Sequence, residues 1–388
     1  MTRTSGMSAF ERATARANFT DEDAVSLLYG MVAIESLSGK ESAVAMHIAQ
    51  RMHSMGLSAS IDEAGNAVGV AIKPGRQPTA PSQDIVLLGH MDTVPGRIPV
   101  RIEGDILHGR GSVDAKGPLA AFIVAAATAT LPPGVRVVVI GAVEEEAATS
   151  RGARHAASAY RPAACIIGEP SHWDGVTLGY KGRLVVDLAI KRGSTHSAGP
   201  DATPAESAAG WWHAVQEASK ALTPGAKGAF DSVQPRLRSF NTTSDGLAET
   251  ASLNVGFRLP PGVTPLGVEA MCRAIAAERD DCADVVLRCS APEVAHVVDR
   301  ASPVARALSN AIRDHGGSPR PRVKTGTSDM NVVGPVWNCP IAAYGPGDSA
   351  LDHTPGEHIS IAEYLRSIQV VRTAIESLAR EIALRPAE

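Results

Sequence analysis

Residues 84–92, with the sequence DIVLLGHMD, decide the fold class of this chain. The run from Asp84 to Gly89 is short and nearly all apolar, which is typical of a strand buried on both faces of a sheet. Two runs of the same kind follow at 135–143 (VRVVVIGAV) and 164–168 (ACIIG), and Pro118 to Thr130 has the composition of an Ala-rich helix. Because strands and helices alternate in this way, we predict an α/β protein with a central sheet.

The segments before this region give weaker signals. Asp21 to Met55 predicts one long helix that Gly56 ends, and Asn66 to Ile72 predicts a strand. The sequence PGRQPTAPSQ at 74–83 is typical of a Pro-rich loop.

From Gly182 the order of predicted elements changes. The elements expected there are strand 183–191, helix 203–221, strand 235–241, strand 250–259, helix 265–279 and strand 283–290. Their order, β-α-β-β-α-β, is that of a ferredoxin-like domain. Helices near 302–315 and 361–381 then resume the first pattern. We therefore predict a discontinuous α/β domain at 1–181 and 291–388, interrupted by a compact insert at 182–290.

Composition argues against several classes of protein. The 388 residues include 37 Lys and Arg against 41 Asp and Glu, a formal charge of −4, which provides no basic field for a nucleic acid. The longest nearly pure apolar stretch, Ala120 to Ala129, is far shorter than the ~20 residues of a membrane span. Met1 to Phe19 is polar and lacks the apolar centre of a signal peptide. The five cysteines form no CxxC pair, so we expect reduced thiols in a cytoplasmic protein.

The strand at 84–89 runs directly into His90 and Asp92. Side chains two residues apart in an extended segment lie on the same side, so we expect the imidazole and the carboxylate to lie together. A carboxylate beside a metal-bound histidine fixes its tautomer and raises its basicity. Taken alone, this segment has an alternative interpretation as a solvent-exposed turn that binds no metal.

More acids and one further histidine follow other predicted turns and strand ends. They are Asp114 in GRGSVDAKG (109–117), the three acids 144–146, Glu169, and His353 after a Gly-rich segment. Adjacent acids at the end of a buried strand repel one another unless cations compensate them. Nitrogen and oxygen ligands suit two Zn²⁺ ions, or Co²⁺ or Mn²⁺, bridged by a carboxylate. The predicted metal ligands are His90, Asp114, Glu146, Glu169 and His353, and Glu145 is left as a general base.

Taken together, these motifs resemble one family. The segments are GHMDTVPG (89–96), GRGSVDAKG (109–117), EEE (144–146), GEPS (168–171), STHSAGP (194–200) and GTSDMN (326–331). In this order they are similar to the zinc-dependent deacylases and exopeptidases that include acetylornithine deacetylase and succinyl-diaminopimelate desuccinylase. The resemblance spans roughly residues 22–380. It implies a di-zinc aminopeptidase-like catalytic domain with an inserted ferredoxin-like domain that serves dimerisation and acts as a lid.

The resemblance also implies a role for each ligand. His90 would be the terminal ligand of the first metal, with Asp92 as its orienting carboxylate, and Asp114 would bridge the two metals. Glu169 would complete the first site, and Glu146 and His353 the second.

The general base lies within the acidic triplet. Glu145 matches the base that takes a proton from the water shared by the two metals. The triplet leaves a second register open, in which Glu144 is the base and Glu145 the ligand. We prefer the first register, because Glu144 then stands where an acid usually precedes the pair.

Other family positions concern the substrate. Arg258 matches a residue that binds a substrate carboxylate, and Gly326, Thr327 and Ser328 match a loop that touches the substrate. A surface strand cation is the alternative for Arg258. His196 matches a histidine that reaches the neighbouring subunit's site, which implies a homodimer.

A local basic excess in this acidic protein has two interpretations. Its members are Lys181, Arg183, Arg320, Arg322 and Lys324. A solvated face is the default, and a docking patch for an acidic carrier protein is the sharper alternative, since opposite potentials speed encounter.

The segments GYKGRL and KTGTSDMN resemble most the family branch that releases lysine or ornithine from an amino-group carrier protein. This resemblance implies hydrolysis of the amide between the amino acid and the γ-carboxyl of the carrier's C-terminal glutamate. Two alternatives stay open at this point. One is an acetylornithine or other N-acyl-amino-acid deacylase, and the other is a catalytically inactive binding protein on the same scaffold.

Overall fold

The computed structural model describes residues 19–72, 83–196, 198–282 and 284–384. The segment at 1–18, on which the expectation of no signal peptide rests, and nearly all of the Pro-rich loop predicted at 74–83 lie outside these ranges. In the described part, the helices are α1 (Asp21–Ala33), α2 (Ser42–Ser54), α3 (Lys116–Thr128), α4 (Arg151–Ala159), α5 (Pro204–Ala221), α6 (Pro265–Ala277), α7 (Pro303–Asp314), α8 (Asp329–Trp337) and α9 (Ile361–Ala383). The strands are β1 (Ser58–Ile61), β2 (Ala67–Ala71), β3 (Gln83–His90), β4 (Arg101–Glu103), β5 (Ile106–His108), β6 (Val135–Ala142), β7 (Ala164–Gly168), β8 (Gly175–Tyr180), β9 (Gly182–Gly193), β10 (Gln234–Ser244), β11 (Ala248–Leu259), β12 (Val285–Glu293), β13 (His296–Val297), β14 (Arg320–Lys324), β15 (Ile341–Tyr344) and β16 (His358–Ser360).

The chain divides into two compact units. Unit one contains the described residues up to Leu178, together with Val298–Arg322 and those from Ser328 onward. Unit two contains Gly179–Val297 and Val323–Thr327.

The main sheet of unit one has the order β1-β2-β6-β3-β7-β15-β8. Its central strands β6, β3, β7 and β15 are parallel, and β2 pairs antiparallel with β6. Their residues are almost all buried, as the apolar runs predicted. Helix α3 is buried on every side from Lys116 to Ala127, which explains why its sequence shows no polar face. The α/β class predicted from the alternating runs is confirmed.

The prediction of one helix from Asp21 to Met55 is wrong. The structure has two helices, because Ile34 leaves α1 in an extended conformation and the chain continues as a loop to Glu41. Within this loop Leu37 forms an isolated parallel bridge with Thr93, and the amide of Thr93 donates to the carbonyl of Ser36 (2.8 Å). The loop therefore lies beside the end of β3, a long-range contact that local periodicity does not encode.

Unit two has the element order β9-α5-β10-β11-α6-β12, which is the β-α-β-β-α-β order expected from the sequence. Its four strands pair antiparallel in the order β10-β11-β9-β12. Trp211 on α5 is fully buried and packs with alternate residues of β9 and β11 in a core separate from that of unit one. No helix in the described part of the chain combines the length and apolarity needed to cross a membrane.

Candidate metal centre

Because β3, β6, β7 and β15 are parallel, their carboxyl ends meet at one edge of the sheet. His90 is the last residue of β3, the acids 144–146 follow β6, and Glu169 follows β7 directly. His353 lies in the loop after β15, and Asp114 lies just before α3. The fold therefore brings to one edge of unit one several groups that are far apart in sequence.

The imidazole of His90 is buried and held by two contacts. Its Nδ1 lies 3.1 Å from the backbone oxygen of Asp92, and its Nε2 lies 3.1 Å from Oδ1 of Asp114. The carbonyl oxygen is only an acceptor, so Nδ1 carries the proton of this bond. In the neutral ring Nε2 is then the nitrogen with a free lone pair, as metal ligation requires.

The carboxylate of Asp92 organises the acidic turn. Its Oδ1 accepts from the amide of Glu145 and its Oδ2 from the amide of Glu146, each at 3.1 Å. The hydroxyl of Ser38 donates to Oδ2 as well (2.7 Å). The distance from Oδ1 to Nδ1 of His90 is 3.5 Å, longer than the contact of that nitrogen with the Asp92 carbonyl. The side chain of Asp92 thus fixes the backbone that follows β6, and its backbone carbonyl orients the imidazole of His90.

Asp114 lies between the two histidines. Its Oδ1 is 3.1 Å from Nε2 of His90 and its Oδ2 is 3.1 Å from Nε2 of His353. The amides of Val113 and Asp114 both donate to the buried carboxylate of Glu357, at 3.0 and 3.1 Å. These bonds hold the loop so that one carboxylate faces both imidazoles, which is the arrangement of a bridging ligand.

Glu146 and His353 form the more exposed side of the cluster. Oε1 of Glu146 lies 2.8 Å from Nε2 of His353, and that imidazole is half exposed. His353 has a φ of +60°, in the left-handed region that residues other than glycine rarely adopt. Such backbone strain is common at functional sites.

The three acids of the triplet have different surroundings. Glu144 accepts from Oγ1 of Thr149 at 2.6 Å and from Nε of Arg151 at 2.8 Å. Its side chain is therefore bound to the start of α4, whereas Glu146 contacts His353 and Glu145 lies near His90.

Neighbouring charged groups and burial shift the pKa values of the side chains in this cluster. Hydrogen bonds to Asp114 and Glu146 raise the pKa of His353 to about 10. Burial alone would raise the pKa of Asp114, but its bonds to His353 and His90 outweigh burial and hold it below the ordinary value. Burial raises the pKa of Glu145 well above its ordinary value. The negative charges of Glu169, Asp329 and Glu146 act in the same direction, while His90 opposes them. A raised pKa favours the protonated acid, and a positive charge bound between these carboxylates would stabilise their charged forms instead.

The donor set fits divalent metal ions. Ligand atoms of Asp114, Glu146 and His353 all lie within 4.8 Å of one another, and those of His90, Glu145 and Glu146 do the same. Nitrogen and carboxylate oxygen donors without sulfur suit Zn²⁺, Co²⁺ and Mn²⁺. Glu169 is only 8 % exposed and acts on the charge of Glu145, but it belongs to neither group of ligand atoms among the described residues.

Several of the predicted substrate residues lie together in unit two. Arg183 on β9 pairs with Arg258 on β11 in the antiparallel register. Nη1 of Arg258 donates to Oγ1 of Thr327 (2.7 Å), and Nε of Arg183 is buried without a hydrogen-bond partner in the described part of the chain. The ammonium of Lys324 lies 6.0 Å from the centre of the Tyr180 ring. Gly326 is half-buried beside Thr327.

The structure contradicts the predicted role of Lys181 as a docking cation. Lys181 is fully buried, and its Nζ donates to the carbonyls of Ala229 (2.7 Å) and Ser232 (2.5 Å) and to Oε1 of Gln234 (2.9 Å). An ammonium has three protons, so these acceptors satisfy it inside unit two. Sequence alone did not distinguish this lysine from its exposed neighbours.

Two further predicted residues have defined local roles. Ser328 is the N-cap of α8, where its hydroxyl accepts from the amide of Met330 (3.2 Å). His196 is exposed on the loop after β9 in unit two, and its Nδ1 accepts from the amide of Ala198 (3.1 Å). Its reach into a neighbouring subunit's site stays a prediction.

Residues 86–377 match the family described as Peptidase family M20/M25/M40. The chain belongs to this family. A LysW-lysine hydrolase of Deinococcus radiodurans is 46% identical over 360 residues, which cover 91% of this chain and 96% of that protein. A LysW-lysine/LysW-ornithine hydrolase of Saccharolobus islandicus is 29% identical over 304 residues, covering 76% and 81% of the two chains.

Solved structures show the same fold at low sequence identity. An M20 family metallo-carboxypeptidase of Sulfolobus solfataricus superposes with a TM-score of 0.76 at 18% identity, covering 92% of this chain and 99% of its own. A dinuclear metal-binding peptidase of the M20 family from Bacillus subtilis gives a TM-score of 0.65 at 12% identity, covering 93% and 98%. The resemblance found in the sequence motifs is confirmed.

Three residues that support this centre were not predicted from the sequence. Ser38 and Glu357 hold Asp92 and the loop of Asp114, and Lys116 is a buried cation at the start of α3. Ser38 is 54 and Glu357 is 243 positions from its partner, so no local pattern identifies either. Lys116 lies within the motif GRGSVDAKG, and its charge, to which no role had been assigned, was the signal that could have identified it.

Proposed function

We propose that this chain hydrolyses the amide between lysine or ornithine and the γ-carboxyl of the C-terminal glutamate of an amino-group carrier protein. The observation that carries the proposal is the similarity to the Deinococcus protein named LysW-lysine hydrolase, which extends over 91% of this chain at 46% identity. The substrate would be a small acidic carrier protein of the LysW type.

The proposed cofactor is a pair of zinc ions, with cobalt or manganese as chemically equivalent substitutes. His90, Asp114 and Glu169 would hold the first ion, and Asp114, Glu146 and His353 the second. Two bound zinc ions would lower the pKa of a water molecule that they share and would polarise the carbonyl of the amide. The contacts of Asp114 with both histidines support its bridging role.

Glu145 is the proposed general base and acid. Its carboxylate accepts the proton of the attacking water and returns a proton to the leaving amine. The binding of Glu144 to Thr149 and Arg151 supports this register, because it turns Glu144 away from the cluster. Asp92 acts through the Glu145 amide, whose position it fixes.

In unit two, the pair of Arg183 and Arg258 is proposed to bind carboxylates of the substrate. Nη1 of Arg258 is anchored by Thr327, which orients the guanidinium. Gly326 and Ser328 would contact the substrate through backbone groups, and Lys324 would face the acidic carrier.

The assay for this function compares three substrates with the zinc-loaded enzyme: carrier-γ-glutamyl-lysine, carrier-γ-glutamyl-ornithine and N-acetylornithine, followed by mass spectrometry. Turnover of either carrier conjugate with little release from N-acetylornithine is expected. Turnover of N-acetylornithine alone would overturn the proposed substrate. Inactivity of the two-zinc protein on all three would overturn the enzyme assignment in favour of a binding protein.

His196 is proposed to donate to the oxyanion in the site of a partner subunit, within a homodimer whose inserted domains act as lids. We expect mixtures of H196A and E145Q protomers to regain activity, because a mixed dimer combines one intact metal site with an intact His196 from the other chain. Activity that stays at the level of the separate variants, despite subunit exchange measured by mass spectrometry, would refute this assembly.

A further inference from the structure

A cavity of about 230 Å³ lies in unit one. Its wall comes from the end of α1, the loop after it, the segment 93–100 and two residues near α3. None of the proposed metal ligands, nor Glu145, is among the described residues that line it. A water molecule occupies about 30 Å³ of liquid, so the cavity has room for a small organic molecule.

Lys116 provides the polar end of this cavity. It is 1 % exposed, and its Nζ donates to the carbonyl of Ile34 (2.8 Å). An ammonium has three protons, and the described residues offer no hydrogen-bond acceptor to the other two. A buried charged donor without an acceptor is costly, so these two protons call for a ligand that accepts.

The charges of Glu357, Asp92 and Glu35 act on this ammonium, but none of the three carboxylates hydrogen-bonds to it among the described contacts. The buried carboxylate of Glu357 already accepts from Nη1 of Arg110 (2.7 Å) and from two backbone amides. Arg110 also lines the cavity, as do the exposed Arg97 and the exposed Glu35. The lining thus carries three cations against one acid.

The rest of the lining is largely aliphatic. Its aliphatic side chains are those of Val32, Ala33, Ile34, Leu37, Val94, Ile98 and Val100, and Thr93 and Gly96 complete it. A free inorganic anion would leave this surface in contact with water, whereas a short hydrocarbon chain would cover it.

We propose that this cavity binds a small aliphatic carboxylate. The carboxylate accepts from the two free protons of Lys116, and the hydrocarbon chain lies against the aliphatic wall. An α-amino acid and a plain fatty acid share this chemistry. Glu35 lines the cavity and is the group that would attract the ammonium of an amino acid.

Three probes with one hydrocarbon chain test the proposal. L-leucine has both charged groups, 4-methylpentanoate lacks the ammonium and 3-methylbutylamine lacks the carboxylate. Calorimetry with the metal-loaded enzyme should show saturable binding of one or both carboxylates and at least tenfold weaker binding of the amine. Tighter binding of leucine identifies an amino acid as the ligand, and tighter binding of 4-methylpentanoate identifies a fatty acid. Equal binding of all three, or none, would overturn the proposal.

Variants separate this cavity from the metal centre, which also attracts carboxylates. K116M should weaken binding of the carboxylate probe about tenfold or more, the loss expected for hydrogen bonds to a charged group. I98W adds bulk to the cavity wall while keeping Lys116 and should weaken binding similarly. K40M alters an exposed lysine outside the lining and should leave binding unchanged. Each variant is first checked for metal content equal to the parent. Unchanged binding in I98W, even if K116M fails to fold, would place the probe elsewhere and refute the inference.

Discussion

Replacing Asp92 with asparagine should loosen the turn that carries Glu145 and Glu146. The carboxylate of Asp92 accepts from both backbone amides and from the hydroxyl of Ser38. An asparagine side chain has nearly the same shape, but one of its two acceptor atoms becomes an NH₂ group. The NH₂ group would then face either the amide of Glu145, or the amide of Glu146 together with the hydroxyl of Ser38.

The magnitude follows from these contacts. A buried donor left without an acceptor costs about 1–3 kcal/mol, and the remaining bonds lose the strength that a charged acceptor gives them, about 1 kcal/mol more. Burial tends to raise the pKa of Asp92, but the bond to His90 and the other donors hold it below the ordinary value, so the folded site favours the charged form. Together these effects predict a loss of about 2–4 kcal/mol in the local opening free energy.

Amide hydrogen exchange followed by mass spectrometry measures this opening directly, on a peptide that spans 140–150. Because 1.4 kcal/mol corresponds to a factor of ten, exchange in D92N should be about 30- to 1,000-fold faster than in the parent. S38A removes only one donor and should accelerate exchange much less. D201N makes the same chemical change at an exposed carboxylate in unit two and serves as the control. Exchange in D92N as slow as in D201N would refute the role assigned to Asp92.

Three further predictions concern other residues. D114A and H353A should lower bound zinc from about two ions per chain to one or none, and full zinc content by elemental analysis in both would contradict the proposed ligands. E145Q should keep both metals and lose turnover by about 10²–10⁴-fold, the contribution of a general base, whereas E144Q should stay active; the reverse result would shift the register by one residue. K181M should lower the free energy of unfolding by about 1–3 kcal/mol in urea titrations, because a fully buried ammonium loses its three hydrogen bonds to acceptors of exposed or half-buried residues. Its KM for the carrier conjugate at low salt should stay within about twofold of the parent, and a large rise would restore the docking role.

The fold was largely predictable because its central strands are buried on both faces. Apolar runs such as 135–143 are too short to span a membrane and are typical of buried strands, and the chemistry of an α/β sheet is concentrated at its strand ends. The break between α1 and α2 was not predictable, because it depends on the pairing of Leu37 with Thr93 across the fold.

The candidate site was predictable in its residue types and less so in their contacts. Acids and histidines at successive strand ends indicate a metal centre without any coordinates. The supporting bonds of Ser38 and Glu357 join segments more than fifty residues apart, and a single sequence carries no trace of such pairs. For the same reason, burial of Lys181 against the chain at 229–234 could not be seen in the motif GYKGRL.

The contact between Glu146 and His353 joins residues 207 positions apart, with most of unit two encoded between them. Ribosomes add about 5–20 residues per second, so a nascent chain displays Glu146 for roughly 10–40 s before His353 has been made. During that interval the emerging polypeptide holds an acidic cluster without its final imidazole. Under the proposed ligand scheme, the second metal position is completed only after His353 has been synthesised. A truncated product that ends before residue 353 would therefore lack an assembled hydrolytic centre.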